Sequence, residues 1–96
     1  MESEWFEWDD EKAAANLRKH GVGFPEATTV VDAPDAIAEP DEVHAEDEPR
    51  WIATGFSQLR RVLLVVFTVR GQRTRIVSAR EASPAERRDY ESQFES

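Results

Sequence analysis

The sequence has no cysteine, which excludes a disulfide framework and any thiolate metal site and makes a cytoplasmic location the simplest expectation. It has only four glycines and no glycine-rich phosphate loop, and neither a GxSxG nor an HExxH pattern occurs. No apolar run approaches the roughly 20 residues that span a bilayer, so no membrane association is expected. The start, MESEWFEWDD, lacks the positive and apolar regions of a secretory signal. Positive charge is scarce too: 12 basic side chains stand against 20 acidic ones, for a net charge of −8. What is present is a 40% hydrophobic fraction with three tryptophans, enough for one folded domain over residues 1–96 and one modest core.

The charge is unevenly placed. Residues 1–49 carry 3 basic and 15 acidic side chains, whereas residues 50–96 carry 9 basic and 5 acidic. From Arg50 to Arg80 there are seven arginines and no carboxylate. A local field can be positive on a negative chain when opposing charges lie beyond a Debye length, about 8–10 Å.

Trp5–Trp8 alternates weakly and suggests a short strand. Asp9 reads as the N-cap of a helix with Asp10 and Glu11 in its first turn, Arg18, Lys19 and His20 in its last, and Gly21 at the left-handed stop. A second helix is expected over Phe24–Val31, with Pro25 at its first turn. Asp35–Ala38 suggests a short strand, and Glu39–Pro49, with six acidic residues, reads as a solvated loop. Strands are expected over Trp51–Phe56, Val62–Val69 and Gln72–Ala79. Gly71-Gln72 fits a type II′ turn that pairs Arg70 with Arg73 and Phe67 with Ile76. Ser83-Pro84-Ala85-Glu86 is a capping box opening a last helix to about Glu95, with Tyr90 and Phe94 on its buried side. The fold class is α+β: a small antiparallel sheet, two N-terminal helices and one C-terminal helix.

Guanidinium matches phosphate with a planar fork, so the arginines are candidates for an anion site. The plainer reading is a solvated face, or pairing with the acidic loop. Arg60 and Arg61 fall in a hairpin loop and read as solvated, whereas Arg70 and Arg73 face each other across a turn, which is unfavourable unless an anion sits there. Arg75 and Arg80 lie in or at the end of an apolar strand, where a charge needs a partner. His20 is either a helix-capping imidazole or a general acid–base. His44 lies among carboxylates without regular ligand spacing. Of Trp5 and Trp8, at least one is expected in the core; an exposed one could stack a base.

The run Phe6-Glu7-Trp8-Asp9, then Lys12, Asn16 and Lys19-His20-Gly21, with Phe24 and Ala27, resembles the start of the BrnT toxin family. Glu48, Arg50, Gly55, Thr68, Arg75-Ile76-Val77-Ser78-Ala79-Arg80, Arg87 and Tyr90 resemble its remainder, so the likeness covers about Trp5 to Tyr90. The resemblance implies a fold like the RelE-like ribonuclease toxins and a cognate antitoxin with a ribbon-helix-helix DNA-binding domain. It further implies operator DNA bound only through that antitoxin, an RNA substrate, and a toxin homodimer within the complex. Freed toxin would cleave RNA and arrest growth, without metal or cofactor. His20 or Lys19 would transfer the proton, and Arg50, Arg75 and Arg80 would hold the phosphate. The competing reading is a non-catalytic module that grips an acidic protein partner through its arginine-rich sheet.

Overall fold

The computed structural model describes residues 1–43 and 48–95. Its elements are β1 (Phe6–Glu7), α1 (Asp10–His20), α2 (Phe24–Val31), β2 (Ile37–Pro40), β3 (Trp51–Phe56), β4 (Val62–Arg70), β5 (Arg73–Glu81) and α3 (Pro84–Ser92). The helix ends follow the expected local chemistry. The Asp9 carboxylate accepts from the Lys12 N–H, Gly21 stops α1 at φ 69°, and Ser83 and Glu86 complete a reciprocal capping box on α3.

The five strands form one sheet in the order β1-β5-β4-β3-β2. It is mixed, not antiparallel throughout: β1 runs parallel to β5, because α1 and α2 carry the chain away before the sheet is built. Gly71, at φ 62°, makes the turn between β4 and β5, and Arg70 pairs with Arg73 as the turn type requires. The strand expected at 35–38 lies at 37–40 instead, pairing with β3. Asp41 N–H donates to the Arg50 carbonyl at 2.8 Å, so hydrogen-bonded positions alternate and Pro40, which has no N–H, faces the open edge of β2.

One face of the sheet carries the core. Ala53, Leu63, Val65, Ile76 and Ala79 pack against Trp8, Val22, Phe24, Ala27 and Val30. Trp8 meets Phe24 edge to face, with ring centroids 5.8 Å apart. Because β1 is only two residues long, β5 lacks a strand neighbour further along. Buried Asn16 takes that place: its amide donates to Ala79 O (2.8 Å) and Val22 O (2.9 Å), and its oxygen accepts from Ala79 N–H (3.1 Å). Arg61, expected to be solvated, is instead paired with buried Glu26, which also accepts from Ser57 Oγ at 2.6 Å. That pair ties α2 to the β3–β4 turn and holds the Glu26 carboxyl below the usual range, chiefly through the Arg61 hydrogen bond.

The opposite face is covered only in part. Tyr90 of α3 packs beside Phe56 and donates to Asp35 O at 2.8 Å. Helix α3 ends at Ser92, and Phe94, expected on its buried side, is 56% exposed.

Candidate functional site

Strand alternation alone would place Arg75 and Arg80, five residues apart, on opposite faces of the sheet. A bulge reverses this. Phe67 pairs with Ile76 but Val66 pairs with Ser78, so Val77 has no partner and the strand's phase shifts by one residue. Arg75 lies opposite Thr68 and Arg80 opposite Leu64. Both arginines therefore share the face away from the core. Extending the β3–β4 register by one pair sets Arg50 opposite Thr68, on the same face, with Asp41 on its other side.

A cavity of about 400 Å³ opens on this face. Ile52, Leu64, Val66 and Ser78 line it, with His20, Arg80 and Asp41 around it. Two sequence candidates, His20 and Arg80, thus meet at one opening although 60 positions separate them. His20 reaches it from the end of α1, which Asn16 fixes against β5. The carbonyl of Leu17 is capped by Gly21 N–H at 2.9 Å, and the imidazole makes no hydrogen bond among the described residues; the capping role considered for His20 is not the one it has. Lys19 is exposed and does not line the cavity.

Arg80 is held by an end-on fork to Glu86, Nη1 to Oε1 at 2.7 Å and Nη2 to Oε2 at 2.8 Å. This pairing, with the Ser83 N–H of the capping box, pulls the Glu86 carboxyl down to about 2. The Nε–H edge of Arg80 stays unengaged among the described residues. Arg75 is paired with Glu7, Arg70 with Glu48 and Arg73 with Glu2. The carboxylate-free run from Arg50 to Arg80 is therefore not carboxylate-free in space: acidic residues from the N-terminal half and α3 reach five of its seven arginines. Arg50 makes no ion pair among the described residues. It is half-buried, and the peptide before it is fixed by Thr68 Oγ, which donates to Pro49 O at 2.7 Å. Of the five arginines on this face, Arg50, Arg70, Arg73, Arg75 and Arg80, Arg50 is the one that makes no ion pair among the described residues, and Asp41 and Glu48 lie near it.

Asp41 is the residue that sequence reasoning missed. It was placed in a solvated loop, yet it is 7% exposed and lines the cavity. No pattern within one sequence marks it, since its burial follows from the β2–β3 register. His44 lies outside the described residues. Among the described residues, no three His, Cys, Asp or Glu side chains gather as a metal-ligand set. No helix among them is long and apolar enough to cross a membrane.

A family model described as the ribonuclease toxin BrnT of type II toxin–antitoxin systems matches residues 8–86. Among solved structures, the chain is similar to the Brucella abortus ribonuclease toxin BrnT, with a TM-score of 0.66 at 24% identity, covering 82% of this chain and 97% of that one. At that identity the likeness is one of fold. No curated protein matches the chain.

Proposed function

Because the chain belongs to the family of BrnT ribonuclease toxins of type II toxin–antitoxin systems, we propose that it is a metal-independent endoribonuclease, one RelE-like domain over residues 1–96, whose active site is the cavity on the outer face of its sheet. The observation that carries this reading is the meeting of His20 and Arg80 at that cavity. A ribose 2′-hydroxyl is an internal nucleophile, so cleavage needs proton transfer and cationic stabilisation of the phosphorane, and no metal to generate hydroxide. His20 takes the 2′ proton as the 2′ oxygen bonds to phosphorus, and the resulting imidazolium, directly or through water, protonates the 5′ oxygen as the P–O5′ bond breaks. Its place at the cavity favours it over Lys19, which is on the exposed side. Arg80 offers its free Nε–H edge to a phosphate oxygen while Glu86 fixes the other edge. Arg50, which makes no ion pair among the described residues, supplies positive charge, and Arg75 flanks it on the same face. The apolar strip of Ile52, Leu64 and Val66 suits a base or ribose.

Freed toxin would thereby inhibit translation and growth in the cytoplasm. Family membership implies an antitoxin partner. We assign that partner a ribbon-helix-helix domain that carries the complex, with a toxin homodimer, to operator DNA. The test is RNA cleavage and growth arrest by His20→Ala and Arg80→Ala. Each is expected to lose about 10²–10³ in rate, the range for one removed transition-state donor; undiminished cleavage removes that residue from the site. A non-catalytic grip on an acidic protein is the second reading, favoured by the ease with which exposed Arg–Glu pairs exchange for a partner's carboxylates. Folded protein that binds an acidic partner and leaves RNA intact would select it.

A further inference from the structure

Two of the three tryptophans are held in or against the sheet, Trp8 in the core and Trp51 half-buried on β3. Trp5 is not. It is 61% exposed, although its neighbour Phe6 packs against the core. Nor is it carried on a loose tail. The Trp5 carbonyl accepts from Thr74 N–H at 2.8 Å, and Ser3 Oγ accepts from Phe6 N–H at 3.0 Å. The Arg73 guanidinium donates to Ser3 O at 2.8 Å. These bonds fix the backbone that presents the indole at the β1 edge of the sheet, level with Arg73 and two strand positions from Arg75.

We infer that Trp5 is a base-stacking platform of an extended RNA-binding subsite, taking a nucleotide of single-stranded RNA that lies outside the cavity. The inference rests on the ribonuclease reading for its ligand class and on the indole's presentation for its location. Between Arg80 and Thr74, β5 runs about 20 Å at the rise of a strand residue, so a short single-stranded segment crosses from the cavity to the indole. On that path it passes Arg75 and nears Arg50, which makes no ion pair among the described residues. An aromatic platform holds single-stranded nucleic acid with little regard to sequence, because every base has a π face, and the exposed Arg73–Glu2 pair beside the indole can exchange its carboxylate for an RNA phosphate.

The experiment uses the full chain and a 12-nucleotide single-stranded RNA in two forms. A fully 2′-O-methylated oligonucleotide, which cannot be cleaved, reports binding by fluorescence anisotropy; the unmodified one reports KM and kcat. Trp5→Ala is expected to weaken Kd and raise KM about 5- to 150-fold, the range for one base–aromatic stack, with kcat changed far less. Trp5→Phe, which keeps a ring, should recover most of the loss, and a dinucleotide substrate should be indifferent to both substitutions. Equal Kd and KM for the wild type and Trp5→Ala on the 12-mer would overturn the inference while leaving the nuclease reading intact. Trp5-dependent binding with no cleavage would do the reverse. Absence of both binding and cleavage would remove both.

Discussion

Replacing Asn16 by alanine should be strongly destabilising. The side chain stands in for a missing strand beside β5 and makes three buried hydrogen bonds, to Ala79 O, Val22 O and Ala79 N–H. Its truncation leaves those three backbone groups inside the protein without partners, where each bond contributes about 0.5–1.5 kcal/mol net and an unsatisfied group costs more. The expected loss is therefore about 3 kcal/mol, from a total of about 5–15 kcal/mol for a domain of this size. Urea unfolding followed by tryptophan fluorescence reads the change, since Trp8 lies in the core. With a slope of about 1.2 kcal/mol/M, the midpoint should fall by about 2.5 M with little change in slope. Asn16→Asp adds a sign test. Its carboxylate would face two carbonyl oxygens, which raises its pKa, so the variant's stability relative to the wild type should be greatest at low pH and fall as pH rises through that value. A midpoint shift under 0.5 M for Asn16→Ala would refute the strand-substitute reading.

Arg61→Met should cost about 3 kcal/mol by stranding the buried Glu26 carboxylate, and adding Glu26→Gln should return part of it; calorimetry on both variants checks the order. Glu86 has a folded-state value of about 2, below its ordinary 4.5, so its contribution is present above about pH 4.5 and lost as pH falls toward 2. Glu86→Gln, which retains a capping-box side chain, should therefore flatten the decline of urea midpoints between pH 5 and pH 2; an unchanged decline would deny the Arg80 pairing its role. Arg50→Ala should raise the KM for RNA and reduce the dependence of binding on salt by about one counterion, measured by anisotropy at graded salt; an unchanged salt slope would place Arg50 outside the RNA path.

The element order was legible because helix punctuation and turn chemistry are local. Asp9, Gly21, Gly71 and the Ser83–Glu86 box each act through neighbouring backbone, so single-sequence reading finds them. The site was legible only in composition. Whether Arg75 and Arg80 share a face depends on the unmatched Val77, and a bulge leaves no reliable mark when the strand is apolar on both sides. The arginine run looked uncompensated because its carboxylates, Glu2, Glu7 and Glu48 among them, are remote in sequence and arrive by strand pairing. Glu26 shows the same limit from the other side: a carboxylate in a helix's first turn reads as surface, and only the fold brings Arg61 to it.

The most direct test is the chemistry of the RNA ends produced by purified, antitoxin-free protein in excess EDTA. Attack by the 2′-hydroxyl, with proton transfer by His20, predicts fragments ending in 2′,3′-cyclic phosphate and beginning with 5′-hydroxyl, formed as fast with chelator as without it. Cleavage abolished by EDTA and restored by a divalent cation, or fragments bearing 5′-phosphate, would contradict the account.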